Sequence, residues 1–277
     1  MKKQLLVLLC GASLLYGGSE VSLTAGKKDY INSAKKIDGN TLNFSVAHKY
    51  EDGKISLGYL KDDVNLITNP KGDLEVKKYN AKYNHQLGEK LNLKASYIKI
   101  LDNQAPTDQG KVYGLGATYK FQKGFGTKFD IYKSDYETFD VNQYDLSFFK
   151  GFKVGETKGK VTLIGKSIKI DGNKYGSYTF KDKDYFTTGV KLGLNYHGYV
   201  AGMGAFFGER IFTILDDGTK VQHHAIEQDK TYVLSLGKKF KNFDIIAKYS
   251  FQNGNELPEG RNDVDTKVIV LQVNYKF

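Results

Sequence analysis

Lys111-Val112-Tyr113-Gly114-Leu115-Gly116-Ala117-Thr118-Tyr119-Lys120-Phe121 alternates without a break. Tyr113, Leu115, Ala117, Tyr119 and Phe121 share one parity; Gly114, Gly116, Thr118 and Lys120 share the other. Side chains of an extended chain point to opposite faces in turn, so this segment is a strand with one greasy and one wet face. The C-terminus repeats the pattern, with Ile269, Leu271, Val273, Tyr275 and Phe277 set against Val270, Gln272, Asn274 and Lys276. In 232–240, Tyr232, Leu234, Leu236 and Phe240 alternate with Val233, Ser235, Gly237 and Lys239. No long window carries helical periodicity.

Working outward from these segments, alternation predicts strands at 21–27, 41–49, 54–60, 75–86, 91–100, 111–121, 125–133, 141–150, 160–170, 185–196, 199–210, 230–240, 243–252 and 266–277. That is an all-β chain of fourteen strands, with twelve as the alternative count. The connections alternate in length. Short ones fall at 51–53, 87–90, 122–124, 197–198 and 241–242; longer ones at 28–40, 61–74, 101–110, 134–140, 171–184, 211–229 and 253–265. Only 151–159 departs from this order, being long where a short turn is expected. Long loops on one side and tight turns on the other are the arrangement of a transmembrane, antiparallel, up-and-down β-barrel. Fourteen strands ~4.8 Å apart and tilted ~40° give a backbone diameter of roughly 28 Å.

Composition excludes other classes. The 277 residues include 20 Tyr and 17 Phe, too aromatic for a disordered chain, and 30 Gly. Mean hydropathy is −0.46, and no apolar run beyond residue 19 approaches the ~20 residues of a spanning helix. The net charge of +10 is carried by lysine, with arginine only at Arg210 and Arg261. Surfaces that bind nucleic acid draw on arginine's planar fork, so no nucleic-acid partner is expected.

The N-terminus has the layout of a secretory signal peptide. Lys2 and Lys3 precede the apolar stretch from Leu5 to Leu15, and Gly17-Gly18-Ser19 supplies small residues for cleavage. Residues 1–19 are assigned to the signal and 20–277 to the barrel with long external loops. The one cysteine, Cys10, lies inside the signal, and Leu9 before it does not suit lipidation. An exported chain without disulfides needs another means of closure, and a sheet closed on itself supplies it. One face is free of charge, as in Phe125, Phe129 and Ile131, or Val190, Leu192, Leu194 and Tyr196. Aromatic residues recur beside the short turns (Tyr83, Tyr119, Tyr196, Tyr199, Phe240, Phe243, Tyr275), where an interfacial girdle belongs.

These features together resemble a Gram-negative outer-membrane porin. The ending Leu271-Gln272-Val273-Asn274-Tyr275-Lys276-Phe277 is similar to the signal read by the barrel-assembly machinery, carried here by Val273, Tyr275 and Phe277. Strand number and size look like the small fourteen-stranded monomeric porins. The Lys/Tyr-rich, Trp-free style is similar to porins of epsilon-class bacteria. The resemblance implies location in the cell outer membrane, contact with its lipid, a monomeric state, and a water-filled channel for passive diffusion of small hydrophilic solutes. A surface adhesin or structural barrel, and a membrane-embedded lipid-modifying enzyme, are the alternatives.

Parity assigns the lining of that channel. Inward lysines are Lys49, Lys78, Lys82, Lys94, Lys120, Lys128, Lys191, Lys239, Lys248 and Lys276, against Asp130, Asp145 and Asp244. A narrow tube focuses such a field and predicts preference for anions. Inward glycines (Gly114, Gly116, Gly189, Gly193, Gly202, Gly204) leave room along one wall or serve strand curvature. The connection 211–229 contains a hairpin turn at Asp216-Asp217-Gly218; the ribbon either folds over the mouth or stands clear of it. No cofactor or metal is predicted: His223 and His224 are adjacent, and neighbours in a strand point opposite ways. His48, His85 and His197 lie at the short-turn side, away from the outer leaflet where a barrel lipase works, so no catalytic residue is assigned.

Overall fold

The computed structural model describes residues 18–67, 72–104, 106–122 and 124–277. The predicted signal segment lies outside the described residues except for Gly18 and Ser19. Among the described residues are eighteen strands: β1 Ser19–Ile31, β2 Lys36–Tyr50, β3 Gly53–Leu66, β4 Leu74–Leu87, β5 Leu91–Asp102, β6 Lys111–Gln122, β7 Phe125–Asp135, β8 Phe139–Val154, β9 Thr157–Gly172, β10 Lys174–Tyr175, β11 Tyr178–Thr179, β12 Asp184–Tyr196, β13 Tyr199–Arg210, β14 Ile214–Leu215, β15 Lys220–Val221, β16 Ile226–Lys239, β17 Phe243–Glu256 and β18 Arg261–Lys276.

Fourteen of these strands close into one barrel; β10–β11 and β14–β15 are two small hairpins in its loops. Every barrel strand pairs antiparallel with its neighbours in the chain, and β18 closes against β1 with Leu23 opposite Val273 and Glu20 opposite Lys276. The Phe277 N–H donates to the Ser19 carbonyl at 3.0 Å, which completes the seam. No edge is left for backbone groups to meet hydrocarbon unpaired. The predicted fourteen strands are all present, each predicted range lying inside its strand to within one residue, and the alternative of twelve falls. The first described strand begins at Ser19.

The strands run further than alternation of apolar residues suggested. The expected loops 28–40 and 253–265 shrink to 32–35 and 257–260, and the turn at 151–159 shrinks to 155–156. At the long-loop end the pairing continues past the greasy band, where outward side chains are charged. Lys61 bridges Asp63 at 2.8 Å and Glu75 at 2.9 Å across β3 and β4, directly beyond the Tyr59–Tyr79 ring pair. Charged residues read as loop in a sequence are here the dry-to-wet border of a strand. At the other end Gly155, with φ +55°, permits the two-residue turn that joins β8 to β9.

The outer surface is a band of exposed Leu, Ile, Val and aromatic side chains with Leu115, Leu236 and Leu163 among the most exposed. The girdle residues cluster at the short-turn end, with Phe240 against Phe243 at 4.3 Å and Tyr275 against Phe277 at 4.9 Å between ring centres. A second belt lies toward the long loops, in Tyr59–Tyr79 at 5.2 Å and Tyr97–Tyr113 at 5.4 Å. Tyr113 and Tyr119 on β6 mark the two belts, about 20 Å apart along the strand at ~3.3 Å per residue. At a tilt of ~40° that is about 15 Å of height, within the ~25 Å apolar band of outer-membrane barrels. A surface concavity of about 640 Å³ also faces outward, between Tyr144, Leu163, Phe186 and Phe207 where Gly165 lacks a side chain.

Candidate functional site

The connection between β13 and β16 settles the choice the sequence left open: it folds into the barrel. Ile211, Phe212, Ile214, Val221 and Ala225 are all buried. Their partners are the inner faces of β3–β9 toward the long-loop end, where Val64, Val76, Ile98, Ile100, Val112, Val141, Ile168 and Ile170 form one apolar cluster with them. The expectation of a wet inner face throughout is therefore corrected: the loop-side part of that wall is apolar and packed. These valines and isoleucines break the greasy-out, polar-in pattern because they meet a hairpin rather than solvent. Phe212 is the anchor. It sits at φ +51°, a conformation that costs a non-glycine residue about 1–2 kcal/mol. Its ring packs on Phe139 at 4.8 Å, Tyr175 at 5.6 Å and Phe180 at 6.0 Å, the latter two supplied by the β10–β11 connection.

Wall side chains satisfy the hairpin's backbone. Gln143 accepts from the Ile214 N–H at 2.8 Å and donates to the Ile214 carbonyl at 3.1 Å. Lys166 donates to the same carbonyl at 3.2 Å, and Lys78 to the Val221 carbonyl at 3.1 Å. A buried peptide group left without such partners would cost about 1–3 kcal/mol.

The tip carries the charge. Asp217, at φ +63°, places its carboxylate between Lys94 at 2.9 Å and Lys82 at 3.0 Å, with Lys128 as a third partner. Asp130 binds the same lysines from the wall, Lys94 at 2.7 Å and Lys128 at 2.9 Å. Lys94 also donates to the Tyr132 hydroxyl at 2.8 Å. Burial alone would raise the Asp217 carboxyl, but Lys128, Lys94 and Lys82 outweigh it and hold the group well below the usual carboxylate range. On the other side of the tip, Asp216 binds Lys220 at 2.7 Å. The Lys220 charge brings its carboxyl down to about 2 against burial, with smaller help from Lys191 and Lys248 across the lumen. Gly218, at φ +83°, lies so close to Ser96 and Tyr132 that a Cβ would stand 2.5 Å from the Ser96 Oγ.

The residues assigned to the lining thus divide. Lys78, Lys82, Lys94 and Lys128 are taken up by the hairpin and by Asp62, Asp130 and Asp217. Asp145 pairs with Lys166, and Asp244 with Lys276 at 2.8 Å. Lys120, Lys191, Lys239 and Lys248 form no ion pair among the described residues; Lys248 donates to Gln272 at 2.8 Å. Of these four, Lys191 and Lys248 face Asp216 at the hairpin tip only from across the lumen. The sequence analysis missed Lys160, Lys166, Lys28 and Asp62. The first two share inward parity on β9 with Ile164, Ile168 and Ile170, which obscured it. Arg210 was also missed as a site residue. It is buried on the inner wall over the Phe206 ring at 5.4 Å, donates to Gln228 at 2.9 Å, and leaves Nε and Nη1 without partners.

Where β1–β4 and β18 face the side of the hairpin, the lumen is polar. A cavity of about 200 Å³ lies between the hairpin's Thr219 and Ser22, Asn43, Ser56, Asn80, Gln272 and Asn274. No atom comes within 4 Å of where a Cβ of Gly193 would stand, whereas one at Gly116 would collide with the Asp130 carboxylate.

No protein-family model matches the chain, and no curated protein matches it by sequence. Solved structures do. The TodX deltaS2S3 mutant monoaromatic hydrocarbon channel superposes with a TM-score of 0.60 at 10% identity, over 96% of this chain and 92% of that one. A bacterial polysaccharide outer membrane secretin gives 0.58 at 8% identity, over 95% and 99%. The Acinetobacter baumannii outer membrane protein Omp33 gives 0.52 at 9% identity, over 94% and 100%. This is an outer-membrane barrel fold. At such low identity the likeness is one of architecture, and what passes through this chain must be argued from its own lumen.

Proposed function

We propose that the protein is an outer-membrane channel in which small hydrophilic anions diffuse passively between the inward-folded hairpin and the open wall. The observation that carries this reading is that Lys191 on β12 and Lys248 on β17 point into the lumen with no ion-pair partner for either among the described residues, while a separate polar cavity beside the hairpin leaves room for solvent. Lys120 and Lys239 add positive charge from β6 and β16, and Arg210 adds a buried guanidinium without a carboxylate partner among the described residues. A low-dielectric tube holding unpaired cations raises the local concentration of anions. Lys78, Lys82, Lys94 and Lys128 support the channel differently, by holding the hairpin to the wall. Val273, Tyr275 and Phe277, exposed at the membrane border, are the residues we assign to recognition by the barrel-assembly machinery. We take the protein to act as a monomer.

Catalysis has little support. Ser19 Oγ and His48 Nδ1 are 3.0 Å apart, but among the described residues no carboxylate ion-pairs with His48 to orient it. A planar-bilayer recording under a salt gradient tests the proposal. Discrete steps with a reversal potential of anionic sign are expected; a silent bilayer or a cationic sign overturns it.

A further inference from the structure

His223 and His224 were set aside in the sequence because strand neighbours diverge, but residues 222–225 do not pair in a strand. Freed of alternation, the two rings lie on one side, 4.1 Å apart between centres. Both meet Asp102 at the end of β5, a residue over a hundred positions away in the chain: its Oδ2 is 3.1 Å from His223 Nε2 and 4.0 Å from His224 Nε2. One donor atom from each residue falls within 4.8 Å of the others.

We infer that Asp102, His223 and His224 form a binding site for a divalent transition metal of the zinc class, tying the hairpin's return limb to the barrel wall. Ligand atoms around a tetrahedral ion with bonds of ~2.0–2.1 Å stand about 3.3 Å apart, and the two donor separations to Asp102 bracket that value. Two imidazoles and one carboxylate select zinc, copper, cobalt or nickel over calcium and magnesium, which take oxygen ligands. The carboxylate is already oriented: its Oδ1 accepts the Gln104 N–H at 2.9 Å, and its Oδ2 is the atom that meets both imidazoles. Orientation of a ligand by an outer hydrogen bond is the usual support of such sites. The Asp102 side chain has no exposed surface and His223 almost none, whereas the His224 side chain is 22% exposed. A metal there is shielded from bulk solvent on the barrel side and keeps a fourth position for water beside His224. The site does not depend on conduction.

The test uses the full chain in detergent micelles, stripped by chelator and titrated with zinc ions against a chromophoric chelator, with cobalt ions as a spectroscopic probe. One zinc per chain is expected, with the intense visible bands of four-coordinate cobalt. His224→Ala, the least buried of the three, should weaken zinc at least tenfold, and His223→Ala or Asp102→Asn roughly 100-fold. Replacing His48, His85 and His197 together should leave the affinity unchanged. Absence of stoichiometric binding by the unmodified protein overturns the site. So does wild-type affinity in the His224→Ala and His223→Ala variants, or loss of binding in the His48/His85/His197 variant. Binding that succeeds while bilayers stay silent would preserve the site and remove the channel reading.

Discussion

The two walls of this lumen use similar residues for opposite ends. On β4–β9, Lys82, Lys94 and Lys128 are ion-paired with Asp217 and Asp130, and Gly114 and Gly116 give up their side-chain space to Tyr132 and Asp130. On β12–β13, Lys191 has no ion-pair partner among the described residues, and Gly193 borders open space. An inward lysine or glycine is therefore not by itself a sign of a pore. What decides its role is whether the hairpin lies against it. The docked wall is a folded core with salt bridges at its lower edge, and the open wall is a solvated surface.

The contrast can be broken most forcefully at the anchor. Phe212→Ala removes a fully buried ring from the Phe139, Tyr175 and Phe180 cluster, and the loss is expected to reach about 3–5 kcal/mol of hairpin docking. Conductance should rise several-fold as the hairpin leaves the lumen, and limited proteolysis should cut within residues 213–222; an unchanged trace would mean that the hairpin does not narrow the path. Asp217→Asn is next. It leaves Lys82 without its ion-pair partner and strips one carboxylate from Lys94 and Lys128; because the Asp217 side chain is partly solvated, the cost is about 1 kcal/mol. Frequent transitions to a larger conductance level are expected in single-channel records.

Selectivity sharpens the comparison on the open wall. Lys191→Glu combined with Lys248→Glu should move the reversal potential toward cations, whereas Lys82→Gln should alter the lifetime of the hairpin-docked level more than the sign of selectivity. Equal shifts from both would show that the two walls are electrostatically equivalent. The smallest effect concerns pH. The Asp217 carboxyl lies below its unfolded value of about 3.9. Its contribution is therefore complete above about pH 4 and is lost only as pH falls through the still lower folded value. Conductance should be the same at pH 7 and pH 5; an increase between them would assign the latch to another group.

Much of the barrel was legible. A period of two persists through Lys111–Gln122 and Arg261–Lys276 because each of these strands meets a dry solvent on one side along its membrane-spanning part. The boundaries were less legible, since Lys61 and Asp63 look like loop residues yet pair in register beyond the apolar band. The site was legible only in pieces. Parity pointed Lys94 and Lys128 inward, and Asp216-Asp217-Gly218 announced a hairpin. Nothing local, however, relates Asp217 to Lys94, which lies 123 residues away. The buried isoleucines of β9 hid Lys160 and Lys166 by blurring the contrast between faces. The argument from strand alternation failed at His223 and His224 because it was applied to a segment that is not a strand.

The sequence by itself determined the closed sheet, its fourteen strands and the side of each strand that faces lipid. These follow from alternation along the chain, a property of neighbours two residues apart, and from the need to pair every backbone group in hydrocarbon. Only the tertiary structure decided where the β13–β16 connection goes, which lysines keep their charge unpaired, and that two adjacent histidines face one aspartate. Those outcomes depend on apolar surface and opposite charge meeting across the lumen, between segments whose separation in the chain carries no periodic signature.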